Sequence, residues 1–246
     1  MKFNVKSAGE VSVKRGDKMQ ISKQKELEKI LTEMAILLTP NITKSPVKHE
    51  VCQFLGCAYG LFSSWKSKFN PSLIGTYNAD KFWTLFEDFL DESNNGSWSQ
   101  MARGKDKIKK DKVQLFSSVK QLLTNGSNLG EVVRIIKNVT SESSANKILG
   151  LTPFKLSGIL FAHDENNYMI LDNPVTEYFG YKDPDQALLN YKNIIDTSRS
   201  YSKKFNLSMW HINKGYGILS NEGKIVVKKL NGNCRSEKSK NFEYSF

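Results

Sequence analysis

The chain has 246 residues, 39% of them apolar, and no apolar run approaches the length of a membrane span. That is enough for one sizeable core or two small ones. The 36 Lys and Arg outnumber the 25 Asp and Glu for a net charge of +11, which favours a polyanionic partner, nucleic acid first.

Cys52, Cys57 and Cys234 form no C-x-x-C pair, which argues against a disulfide scaffold or a zinc cluster. His49, His163 and His211 are not at metal-ligand spacing, so neither a metal nor a cofactor is expected. The start, MKFNVKSAGE, lacks the apolar stretch of a signal peptide. The expectation is a soluble, cytoplasmic monomer with no membrane contact.

Residues 1–17 alternate around Ser7–Glu10, with Phe3 and Val5 before the turn and Val11 and Val13 after it, which predicts a small β-hairpin. From Ser22 the period changes. Leu27, Ile30, Leu31, Met34 and Leu38 follow helical spacing, and Pro40 stops the helix. Val51 to Phe62 predicts a second, buried helix, and Asp80 to Asp91 a third. The aromatics of that third helix, Phe82, Trp83, Phe86 and Phe89, suit core packing first and a base-stacking platform second.

A basic run follows, with Arg103, Lys105, Lys107, Lys109, Lys110 and Lys112 leading into a helix through Val113, Leu115, Phe116, Val119 and Leu122. Positive charge at a helix start opposes the helix dipole, which suits an anionic partner; a solvated basic face is the plainer reading. Asn125-Gly126 breaks this helix, and Leu129 to Val139 forms the next.

Lys147 to Tyr181 is the central unit. A turn, Leu149-Gly150-Leu151-Thr152-Pro153, opens a helix from Phe154 to about Ala162, and such a turn can aim backbone amides at a phosphate. The extended run Tyr168 to Leu171 delivers Asp172 to a helix whose first turn holds Pro174, so Asp172 is a helix cap, a functional carboxylate, or both. Asp183-Pro184 begins a long amphipathic helix to about Lys204, and Leu207 to Leu219 forms a last helix containing Trp210. Lys224 to Leu230 is β-branched and leads into a basic tail. The pattern predicts a mostly α chain, a single helical DNA-binding domain over 1–246 with two lobes (1–140 and 141–246) as a variant.

The turn and Asp172 together resemble the helix–hairpin–helix DNA glycosylase superfamily. The residues carrying the resemblance are LGLTPFK as the hairpin, with Lys155 near its end, and Asp172 seventeen positions later (172 − 155 = 17) after the extended YMIL. The hairpin departs from that superfamily's pattern in having one glycine, Gly150, and a proline, Pro153. A more remote similarity, to the archaeal oxoguanine glycosylases, selects Lys147 instead and adds Trp210 and Gly232–Arg235. LDNPVTEYFGY also resembles the DNA-recognition regions of McrB-type restriction systems.

The glycosylase resemblance implies a helix–hairpin–helix fold and excision of a modified or damaged base from double-stranded DNA, as in DNA repair. Asp172 would steady the cationic sugar, and Lys155, or failing it Lys147, would be a lyase nucleophile. Gly150, Leu151 and Thr152, with Arg103, Lys105, Lys107, Lys109 and Lys110, would hold the DNA. Phe161, Tyr168 and Trp210 would wall a pocket for a flipped base. The restriction-system resemblance implies a non-catalytic reader of modified DNA in antiviral defence. A third reading is a PD-(D/E)xK-like nuclease using Glu222 and Lys224, which lie in an apparent turn.

Overall fold

A computed structural model describes residues 15–38, 64–96 and 101–220. The expected hairpin strands, the helix over Val51 to Phe62, Glu222, Lys224 and Gly232–Arg235 lie outside the described residues. Within them the chain is mostly helical, with no strand. No described helix is long and apolar enough to cross a membrane, and no cluster of His, Cys, Asp and Glu among the described residues could hold a metal.

Helix α1 spans Arg15–Leu38 and begins seven residues before Ser22, where the helical spacing sets in. A short turn of helix, α2 (Pro71–Ile74), follows an Asn70 cap, and α3 spans Ala79–Gly96. The α3 aromatics are core residues: Phe82, Phe86 and Phe89 are fully buried and Trp83 nearly so. Trp65 and Phe69 meet Phe89 edge-on at 5.3 and 5.1 Å, a favoured aromatic geometry.

The basic run divides into α4 (Lys105–Lys109) and the start of α5 (Lys112–Thr124). Helix α6 (Leu129–Thr140) is capped by Asn128, whose side chain accepts from the Glu131 amide. Helix α7 (Pro153–His163) is buried on nearly every side, from Lys155 to Ala162. It packs against α5 and α6 and against α9 (Pro184–Leu189).

The run 168–171 is buried and belongs to no helix or strand, so its backbone groups need other partners. Side chains supply them. The Tyr191 hydroxyl donates to the Met169 carbonyl at 2.6 Å, and Ser157 Oγ accepts from the Leu171 amide at 2.9 Å. These bonds pin the segment before Asp172 to Ser157 of α7 on one side and to Tyr191 on the other.

Asp172 then caps α8 (Asn173–Phe179), and Asp183 caps α9. The long helix expected from Pro184 to Lys204 is two helices, because Asn190 ends α9 and starts α10 (Tyr191–Phe205). Its side-chain amide donates to the Gln186 carbonyl at 3.0 Å, satisfying locally a group that a continuous helix would have bonded. Helix α11 (Met209–Leu219) packs against α1, α8 and α10. Gly215 permits the α1 approach: a Cβ there would stand 2.7 Å from a Leu31 methyl. One apolar cluster runs from Leu27 to Ile218 and joins all these elements.

Candidate functional site

Asp172 sits where the buried run 168–171 emerges into α8. Its Oδ1 accepts from the Val175 amide at 3.1 Å, so the capping role is real. Its Oδ2 receives the Asn213 side-chain amide of α11 at 3.4 Å. The next residue, Lys214, is 7% exposed, with its ammonium 4.5 Å from the centre of the Trp210 ring. Burial pushes the Lys214 amine down to about 8, and the Asp172 carboxylate opposes that fall. Asp172, Asn213 and Lys214 therefore form one polar cluster at the edge of the core, with two members from α11.

The sequence reading does not single out Asn213 or Lys214. The signal was present: Lys214 follows Trp210 by four positions on an apolar helix, which puts a cation on the core face. A lysine there is either paired or perturbed, and this one is both.

Lys155 lies in the first turn of α7 and is 3% exposed. Burial first, and the Arg103 guanidinium second, push its amine down to about 8. Asp172 does not contribute to this shift; the lysine that feels Asp172 is Lys214. Lys147 instead forms an ion pair with Glu142, whose side chain is largely in solvent. The three nominated catalytic residues thus occupy separate surroundings.

The turn at Gly150 differs from an outward-facing cradle of amides. The Leu151 amide donates inward to the Ile148 carbonyl at 3.1 Å, and the Leu151 side chain is buried. Gly150 has φ +83° and backs onto Gly104, which has φ +80°; a Cβ on Gly150 would stand 2.7 Å from the Gly104 carbonyl oxygen. The glycine serves a close backbone approach between two loops. Thr152 Oγ1 makes no cap bond and is buried without a partner among the described residues.

Much of the basic run is neutralised internally. Lys105 reaches Asp91 at 2.7 Å and Glu87 at 3.6 Å, and the Asp91 bond raises its pKa. Lys112 pairs with Asp80, and Lys109 faces the Trp83 ring at 5.9 Å. Arg103, Lys107, Lys109 and Lys110 are exposed and have no ion pair among the described residues.

The expected base pocket is closed at two of its three walls. Phe161 and Trp210 are 1% and 0% exposed and stack on each other at 6.2 Å, so they fill the core and offer no open face to a base. Tyr168 is also buried, with its hydroxyl donating to the Gly126 carbonyl, but it lines an open cleft of about 610 Å³. His163, Asp164, Lys192, Asp196 and Arg199 line the same cleft. Neither Asp172 nor any lysine nominated for catalysis does.

No family model, no curated protein and no solved structure matches this chain.

Proposed function

We propose that the protein binds double-stranded DNA and acts on it as a DNA glycosylase, with a helix–hairpin–helix-like arrangement around Lys147 to Tyr181. The observation that carries the catalytic half is the Asp172–Asn213–Lys214 cluster, a carboxylate fixed by two donors beside a buried amine of lowered pKa. Breaking an N-glycosidic bond leaves positive charge on the sugar, and a fixed carboxylate lowers that barrier without having to reorganise. Water then adds to C1′ and the base departs with a proton.

In the lyase form an amine takes the place of water. Lys155 and Lys147 are the candidates from sequence, and Lys214 joins them because it is the amine that senses Asp172. Arg103, Lys107, Lys109 and Lys110 supply the charge that holds the duplex.

A non-catalytic reader of modified DNA is the second reading, and the closed packing of Phe161 on Trp210 favours it. One experiment divides the two. Duplexes bearing a panel of modified bases are incubated with the protein and then treated with alkali. Strand breaks that vanish in Asp172→Asn support excision. Tight binding to one modified duplex with no abasic sites formed supports the reader.

A further inference from the structure

We infer that Arg103 and Lys155 form a binding site for a phosphate-class oxyanion at the N-terminal turn of α7. The first ground is charge. The fold takes Lys155 to 3% exposure beside a second cation and gives neither of them a carboxylate among the described residues. Other lysines of this region are treated differently: Lys105 has Asp91, Lys112 has Asp80, Lys147 has Glu142, and Lys214 has Asp172 within reach. Two like charges held together at the edge of a core cost free energy that an arriving anion returns.

The second ground is position. Lys155 is in the first turn of an eleven-residue helix with no acidic residue in that turn, so the helix dipole adds a further positive contribution. The Thr152 hydroxyl at the same end is buried without a partner among the described residues and can donate to an oxyanion. The third ground is rigidity. Gly104 and Gly150, both with positive φ and in backbone contact, fix the loop carrying Arg103 to the loop that enters α7. Arg103, next to Gly104 in this junction, is exposed, so an anion can approach the pair from the Arg103 side.

The anion is a phosphate group, either free (inorganic phosphate or a nucleotide) or part of a nucleic-acid backbone. In this assignment Lys155 is an anion ligand, which leaves Lys147 and Lys214 as the amines for a lyase step. The site stands whether or not the protein excises a base, so a negative modified-base assay leaves it untouched.

The test measures binding of inorganic phosphate by calorimetry against a chloride background of matched ionic strength, and of a labelled duplex by fluorescence anisotropy across a salt series. It compares the whole chain with Lys155→Met, Arg103→Gln and, as control, the exposed Lys120→Gln. Arg103 is exposed, so its variant keeps the fold if Lys155→Met does not. We expect each site variant to weaken phosphate binding by about tenfold, the usual cost of losing one charge-assisted bond.

If the site takes a backbone phosphate, each variant also lowers the slope of log K against log salt by about 0.9. Loss of phosphate binding with unchanged duplex binding supports the same site with a free phosphate or nucleotide as its ligand. No phosphate binding beyond the chloride background, or an equal weakening in Lys120→Gln, overturns the inference.

Discussion

Replacing Lys155 with methionine removes a charge that the fold buries with no carboxylate partner among the described residues, and keeps a side chain of similar length. The lysine's amine falls from 10.5 to about 8 on folding. At about 1.4 kcal/mol for each tenfold change, the charged form costs about 3 kcal/mol to bury. Proton occupancy sets the sign. Below pH 8 both folded and unfolded chains carry the proton, and the folded state bears the whole cost. Between pH 8 and 10.5 the unfolded chain holds more protons, so stability rises with pH until the cost has gone.

Lys155→Met is therefore expected to be more stable than the parent by up to about 3 kcal/mol at pH 7, falling to under about 0.5 kcal/mol at pH 10.5. Urea unfolding of both proteins at pH 7, 9 and 10.5 measures the difference, and the groups common to both proteins cancel. A variant less stable at pH 7, or a gain that does not shrink as pH rises, would refute the reasoning. Saturating phosphate should reduce the gain at pH 7, because the anion binds the parent about tenfold more tightly than the variant and stabilises it more.

Three further outcomes are expected. Gly150→Ala, with φ +83° and a Cβ 2.7 Å from the Gly104 carbonyl, should cost more than about 1 kcal/mol in chemical unfolding, the strain of one left-handed residue; Gly180→Ala, at φ +74° with open space, should cost less than Gly150→Ala. Asp172→Ala should lose about 1 kcal/mol through its cap, whereas Asp172→Asn keeps a capping side chain and should lose less, its loss being that of the negative charge facing Lys214. In a salt series, Lys107→Gln and Lys110→Gln should each lower the duplex-binding slope, by about 0.9 for every phosphate no longer neutralised. Lys105→Gln should lower it less, because Asp91 already holds that charge.

The helices were legible wherever a local signal marked them. Pro174 and Pro184 in first turns, with Asp172 and Asp183 before their helices, fix two starts, and the spacing of Phe82, Trp83, Phe86 and Phe89 fixes a core face. The break at Asn190 was hidden because the apolar spacing runs on through it, and a single side-chain bond to Gln186 decides it. The candidate site was half legible. Asp172 stood out as a carboxylate after an extended run, but its partners come from α11, some forty residues away, and no periodicity joins them. The aromatic candidates were chosen by residue type, and type does not distinguish a ring that walls a pocket from Phe161 and Trp210, which stack on each other inside the core. Gly150 was visible as a turn residue, but its contact with Gly104 requires the tertiary fold.

The most direct measurement of the central claim is release of a base from duplex DNA, scored as alkali-labile sites across a panel of modified bases, with Asp172→Asn alongside. Cleavage at one class of modified base is expected from the parent protein, with its loss in Asp172→Asn under conditions where that variant is folded. Unaltered cleavage in Asp172→Asn, or binding to every duplex with no abasic site in any, would contradict it.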